Sequence, residues 1–331
     1  MKSIEGKNIL FIGTNFYYYE KVIINQFEIR GAKVFYFSSV INTLIKKLLV
    51  RLSLKKMLDY YVAKVVSKNI EQSPTDIDYI FVIKGENLRE SHFKQLGARY
   101  PGIPKILYLW DSLDNLRNAE LLFNQFDSIL TFDRKDAEKY DLIFRPLFYR
   151  NKTHSDVNAE YDISFVGGAH SIRYNVVSQL KSLLDKNGIK YKIVLVAGKF
   201  DYYKRLLNRE IKYRDRKLFV KHKISYEEYI SIGLKSNVIF DIPDPSQTGL
   251  TIRSIETLGL GRKLLTTNLD IRNYGFPNSF FCIFDPMRPE LSMQFIKNHD
   301  MEQFDISHYS IESFVHDIIS SFPPLQSLYK R

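Results

Sequence analysis

Short apolar runs alternate with stretches of helical spacing along the whole chain. In the first half, NILFIG (8–13) precedes a predicted helix near 17–30 and the run AKVFYFSS (32–39). DYIFVIKG (78–85), a helix near 88–98, KILYLWD (105–111) and a helix near 114–124 continue the series. FDSILTF (126–132), a short DRKDAEKY helix and LIFRPLFY (142–149) complete it. Runs that are apolar at nearly every position read as strands buried on both faces, and helices between them predict a parallel sheet covered on each side.

The polar stretch NKTHSDVNAE (151–160) has no periodicity and reads as a linker. The same grammar then restarts with YDISFVGGAH, a helix near 171–186, KYKIVLVAG (190–198), the helix SYEEYISIGLKS, NVIFDIP (237–243), KLLTTN (263–268) and FFCIFD (280–285). The fold class is therefore α/β, with two Rossmann-like domains facing a central cleft. Residues 1–150 form the N-terminal domain, 161–300 the C-terminal domain, and 301–331 a helical segment packing back on the N-terminal domain. Such an arrangement suggests an enzyme that takes its ligand between the domains.

The length of 331 residues fits two domains, and 45% hydrophobic residues with 22 Tyr and 24 Phe can fill two cores. Cys282 is the single cysteine, which excludes an intrachain disulfide or a cysteine metal cluster. The N-terminal apolar run is too short for a signal peptide, and no window approaches the ~18 apolar residues of a membrane span. These features predict a cytosolic protein, at whose sequon Asn151–Thr153 no glycan is expected.

A net charge of +11 predicts an anionic partner. No acid lies between Glu28 and Asp59, and the gap contains VINTLIKKLLVRLSLKKM. Ile41, Leu44, Ile45, Leu48, Leu49 and Leu52 follow three-four spacing, while Lys47, Arg51 and Lys55 repeat every four residues on another face. A basic amphipathic helix over 41–56 can lie on an anionic membrane surface; the alternative is a domain helix with a solvated basic face. A second basic run, 199–223, holds ten Lys and Arg against Asp201, Glu210 and Asp215. Without a zinc-finger, helix-turn-helix or RNA-binding signature, it reads as a solvated helix beside a phosphate site, and nucleic acid is not expected as a partner.

Ligands of wound parallel sheets sit beyond the strand carboxyl ends. Three loops there stand out in the second half. FVGGAHSIR places Gly167 and Gly168 after a strand, with His170 and Arg173 opening the next helix; it reads as a phosphate-facing turn or as a tight strand-to-helix turn. VAGK puts Lys199 at the same edge. The third is DPSQTGLTIRSIETLGLGRKLLTTN (244–268), where Ile252, Ile255 and Leu258 share one face and Arg253, Glu256 and Thr257 another. Glu256 could accept a ribose diol there, or pair with Arg253 within the helix.

GLTIRSIETLGLGRKLLTTN resembles the segment of GT-B glycosyltransferases in which a helix carrying a ribose-binding Glu ends at Gly and enters a strand. VIKG, YLWDSLDN, FDSILTFDRKDAEKY and RPLFY, in order with FVGGAHSIR, are similar to CgeB-like proteins encoded in bacterial capsule and lipopolysaccharide clusters, over most of the chain. The resemblance implies a cytoplasmic glycosyltransferase, peripheral at the inner face of the plasma membrane. It would move a sugar from a nucleotide-sugar donor to a glycan or lipid-linked acceptor, without a required cofactor or metal. It further implies that Glu256 binds the ribose, that Gly167 and Gly168 face the phosphates, and that Arg253 contacts the diphosphate or sugar. With Gln247, Thr248, Gly249, Thr251, His170, Arg173 and Lys199, these make the expected donor site. Many retaining members carry a further Glu eight positions before the ribose-binding one, where this chain has Thr248. Asp111, after strand KILYLWD, is the first candidate base, with Asp114 and Glu86 as alternatives. The alternative function is a non-catalytic nucleotide- or glycan-binding relative in a cell-surface or spore-coat assembly. An epimerase-like enzyme is disfavoured because Gly13-Thr14-Asn15, after NILFIG, lacks the G-x-G-x-x-G fingerprint.

Overall fold

The structure, a computed structural model, describes residues 3–16, 19–116, 119–153, 159–169 and 172–323. His170 and residues 154–158 of the polar stretch lie outside the described residues. The chain divides into two compact units, Met1–Leu147 with Ile311–Arg331, and Phe148–Ser310.

Unit 1 runs β1 (Asn8–Gly13), α1 (Tyr19–Ile29), β2 (Lys33–Ser38), α2 (Leu44–Arg51), α3 (Lys55–Gln72), β3 (Tyr79–Ile83), α4 (Glu90–Arg99), β4 (Lys105–Leu109), β5 (Ser128–Thr131), α5 (Arg134–Tyr140) and β6 (Ile143–Phe144). Its sheet is parallel throughout, in the order β2-β1-β3-β4-β5-β6. The sequence grammar forces this: every residue of β3 is buried, as are all but the first of β1 and β4, so helices must cover both faces. Leu10, Ile12, Val82 and Leu109 pack with Val66 and Ile70 of α3 and with Phe93 and Leu96 of α4.

Unit 2 runs β7 (Tyr161–Gly168), α6 (Arg173–Lys186), β8 (Tyr191–Val196), α7 (Lys199–Leu207), β9 (Phe219–Val220), α8 (Tyr226–Leu234), β10 (Ser236–Asp241), α9 (Ile252–Gly259), β11 (Lys263–Thr266), β12 (Phe281–Ile283) and α10 (Met293–Lys297). Its parallel order is β12-β11-β10-β7-β8-β9. The last helix, α11 (Ile311–Ser321), belongs to unit 1 and packs against α1. Its Asp317 pairs with the buried Arg145 at 2.7 Å.

In each sheet the chain reverses its direction of growth beside the first strand, between β1 and β3 in unit 1 and between β7 and β10 in unit 2. Crevices at these points, beyond the carboxyl ends, are where open α/β sheets take ligands. The helices α1, α4 and α6 lie within about two residues of their predicted spans, whereas most of α3, the longest helix, has no predicted span.

Three expectations are corrected. Residues 114–124 form two 3-10 segments, Leu113–Asn115 and Ala119–Gln125, in a stretch carrying the weak helix formers Asp114, Asn115 and Asn124. Of LIFRPLFY only Ile143–Phe144 pairs in the sheet; Arg145 donates once more to the Thr131 carbonyl, and Pro146 then has no N–H to offer. The basic stretch 41–56 is not one helix. It breaks between α2 and α3, where Ser53 turns left-handed at φ 55°.

His92 joins the helices on this side of unit 1. Its Nδ1 accepts the Arg89 N–H at the start of α4, and its Nε2 donates to the Ala63 carbonyl of α3, so the buried ring is neutral. Burial holds it below its ordinary value. The unfolded ring takes a proton near pH ~6.5 and the folded ring only lower. The stability lent by the neutral ring is therefore complete above that pH and lost as pH falls. Chemical denaturation between pH 7 and 5 should show falling stability with a shallower slope in His92→Gln. Equal slopes would contradict the assignment.

Candidate functional site

The densest polar cluster in unit 2 sits at its switch point. Asp241 ends β10 with 0% of its surface exposed. One carboxylate oxygen accepts from Arg253 Nη1 at 2.6 Å, and the other from the Thr251 and Ser254 hydroxyls at 2.6 and 2.7 Å. Thr251 is also the N-cap of α9, accepting the Ser254 N–H. A carboxylate that ends one strand thus fixes the first turn of the following helix, where the helix dipole also favours negative charge.

Arg253 crosses from α9 to β7. Its guanidinium carbon lies 5.4 Å from the centre of the Phe165 ring. A Cβ on Gly167 would stand 2.9 Å from that ring and 3.0 Å from Arg253 Nη2. The glycine at 167 leaves room for both the Phe165 ring and the Arg253 guanidinium. Arg173 donates from Nε to the Ile242 carbonyl at 2.8 Å. Burial, and then the neighbouring Arg253 cation, lower its proton affinity. Two guanidinium groups thus converge at the ends of β7 and β10.

The expected outward face of Arg253 and Glu256 is not found. Glu256 is 1% exposed, and Arg253 pairs with Asp241 rather than with Glu256. Both oxygens of Glu256 accept from the Tyr226 hydroxyl at 3.1 Å. Every residue of α9 from Ser254 to Gly259 is buried, so the helix has no solvated face over that span. Burial and the adjacent carboxylate push the Tyr226 hydroxyl up, and the Arg150 guanidinium stacks 3.8 Å above the Tyr226 ring. Tyr229 is raised in the same way, first by burial, with Arg253 opposing the effect and Glu256 adding to it. Arg253 Nε and the Tyr229 hydroxyl are buried without a hydrogen-bond partner among the described residues. Such atoms in a native site point to a ligand or water.

The remaining expected residues spread around this cluster. The Gln247 side chain donates to the Gly249 carbonyl, and Asn268 Nδ2 donates to the carbonyls of Thr248 and Gly249, which fixes the loop entering α9. Gly168 ends β7, and Lys199 begins α7 exposed. Gly259 serves packing: a Cβ there would meet Tyr149 Cβ at 2.7 Å and the Asn151 carbonyl at 2.8 Å. Gly261, at φ 61°, then turns the chain into β11.

In unit 1, Asp111 forms an ion pair with Lys84, which follows β3 in a left-handed conformation (φ 63°). Asp114 pairs with Lys135 at 3.3 Å, and Glu86 is exposed. At the end of β1, Glu20 fills the loop itself: its carboxylate accepts the N–H groups of Thr14, Asn15 and Phe16 and the Tyr36 hydroxyl. Among the described residues no group of three or more His, Cys, Asp or Glu could hold a metal ion.

Asp241, Tyr226, Tyr229 and Asn268 were missed by sequence reasoning. The signal for Asp241 was present in NVIFDIP, where one acid ends an otherwise apolar strand. Nothing in the pattern set Tyr226 apart among 22 tyrosines.

No protein-family model matches the sequence, and no curated protein matches it. Solved structures do match. An alpha-glucosyltransferase in complex with UDP and a mismatch-containing DNA is 12% identical, with TM-score 0.59 over 98% of this chain and 97% of that one. Anabaena HepE in complex with UDP is 13% identical, with TM-score 0.51 over 97% of each chain. The N-terminal domain of Candida albicans trehalose-6-phosphate phosphatase is 10% identical, with TM-score 0.57 over 99% and 97%. At these identities the likeness is one of fold: two Rossmann-like units with parallel six-stranded sheets, as in GT-B glycosyltransferases.

Proposed function

We propose that the protein is a glycosyltransferase that takes a sugar from a nucleoside-diphosphate donor held by unit 2. The observation that carries this reading is the cluster at the β7/β10 switch point. There a buried carboxylate, Glu256, already engages a hydroxyl group, Arg253 keeps a buried Nε without a hydrogen-bond partner among the described residues, and the Arg173 guanidinium stands near that of Arg253. Glu256 suits a ribose diol, and Arg173 and Arg253 suit the diphosphate. Gly168, Lys199 and the loop Gln247–Gly249 with Thr251 border the same strand ends. As the donor breaks, negative charge grows on the leaving diphosphate, and fixed guanidinium cations stabilise it without reorganising. Asp111, paired with Lys84, is the proposed group that orients the acceptor hydroxyl in unit 1. The resemblance to CgeB-like proteins favours a bacterial surface glycan as the product.

The acceptor side of the reading includes an anionic membrane surface. Leu44, Ile45, Leu48, Leu52, Met57 and Tyr60 of α2, α3 and the turn between them are exposed, Leu44 to 82%. Lys46, Lys47, Arg51, Lys55 and Lys56 surround them, and none has a carboxylate partner among the described residues. Each cation near an anionic headgroup layer contributes about 1 kcal/mol, and each buried Leu about 1.5–3 kcal/mol. No helix among the described residues is long and apolar enough to cross a membrane.

Two measurements test these points. In a thermal-stabilisation screen of UDP, GDP, CMP and TDP, one nucleotide should raise Tm by a few degrees, and Glu256→Gln should cut that affinity roughly tenfold, about 1.4 kcal/mol. Stabilisation by none of the four, or stabilisation indifferent to Glu256→Gln, contradicts the donor site. Binding without donor turnover favours a non-catalytic relative. Separately, changing the five cations of 46–56 to Gln should abolish cosedimentation with phosphatidylglycerol vesicles while nucleotide stabilisation persists. Unchanged cosedimentation would sink membrane docking.

A further inference from the structure

Unit 1 contains a pocket, distinct from the donor site, that shares Lys46 and Lys47 with the basic patch. It is an open cavity of about 400 Å³ at the carboxyl ends of β1 and β2, lined by Thr14 and Asn15, by Ile41 and Asn42, and by Lys46 and Lys47 of α2. The size falls within the range of ligand sites, roughly 300–1,000 Å³.

The short helix α2 divides its surface in two. At about 100° per residue, Lys46, Lys47 and Val50 occupy the arc that lines the pocket, whereas Leu44, Ile45 and Leu48 occupy the opposite arc. That opposite arc is exposed, Ile45 to 53% and Leu48 to 55%. The helix is held in this orientation. Thr43 caps it and shares a hydrogen bond with Tyr61 of α3 at 3.0 Å, and Leu49 is its one buried residue.

Charge decides what the pocket can take. The loop N–H groups that often cradle a phosphate after the first strand are already satisfied by Glu20, so this is not a second nucleotide site. Glu20 is buried and its oxygens are engaged by the loop and by Tyr36. The cationic groups of the lining are Lys46 and Lys47, neither with a carboxylate partner among the described residues. A free anion would need no apolar arc, and a neutral lipid would need no lysines. A flat bilayer surface would need no pocket.

We propose that this pocket binds the anionic head of an amphiphile, a phosphate ester carried on an aliphatic chain, while the outward arc of α2 lies in the lipid layer holding that chain. Within the glycosyl transfer proposed above, the ligand is the lipid-borne acceptor. The binding itself does not depend on that reading.

Calorimetric titration of the full chain with dihexanoyl phosphatidic acid, kept monomeric, tests the site. Inorganic phosphate and dihexanoyl phosphatidylcholine serve as the other arms. The wild type should bind the phosphatidic acid at least tenfold more tightly than either. Lys46→Gln with Lys47→Gln, and separately Val50→Trp, which fills the cavity, should each weaken it tenfold or more. Both variants should melt as the wild type does and retain the wild type's response to nucleotide. Phosphate binding as tightly as the lipid overturns the amphiphile in favour of a plain ion site. Equal phosphatidylcholine binding overturns the charge recognition, and an unchanged Val50→Trp overturns the pocket. Failure of the donor reading shows differently, as a wild type that binds the lipid but is stabilised by no nucleotide.

Discussion

The candidate donor site depends on one buried carboxylate. Asp241 has no solvent to share its charge with, and its two oxygens are held by the Arg253 guanidinium and two hydroxyls from the first turn of α9. Breaking such a pair by removing one partner costs about 3–5 kcal/mol, because the other charge is left uncompensated. The arrangement fixes where α9 begins, and through α9 it fixes Glu256. It also sends Arg253 over Gly167, which couples the end of β10 to the end of β7. Three elements distant in sequence thereby meet at the switch point of one sheet.

Both units follow the same Rossmann grammar, yet their first loops are finished differently. In unit 1 the N–H groups after β1 close on Glu20 from the following helix. Unit 2 ends β7 on Gly167 and Gly168, with arginines rather than a carboxylate beside them. A carboxylate that occupies the cradle excludes phosphate by charge and by volume. An arginine whose buried Nε has no partner among the described residues, Arg253, invites it. This difference is the reason for proposing the donor site in unit 2 and, in unit 1, a ligand met through lysines.

Most of the fold was legible in the sequence because buried parallel strands are written as uninterrupted apolar runs. NILFIG, DYIFVIKG and KYKIVLVAG each mark a strand that forms. Where the pattern misled, a local rule lost to backbone chemistry: Pro146 stopped a strand, and the turn at Ser53 cut one amphipathic stretch into two helices. The site was legible in its address but not in its wiring. Helical spacing put Arg253 and Glu256 on one face, but it could not show that Asp241, twelve residues upstream, would claim the arginine. Nor could it show that Tyr226, thirty residues upstream, would reach the glutamate. Long-range partners are set by sheet order, which no local periodicity encodes.

The central claim is that a nucleoside diphosphate binds at the β7/β10 switch point of unit 2. Amide hydrogen exchange with and without the stabilising nucleotide tests it most directly. The account predicts slowed exchange confined to residues 165–169, the start of α6 near Arg173, and the segment 247–257, with the loop at Thr14–Phe16 unchanged. Protection at Thr14–Phe16, or none at 247–257, would contradict it.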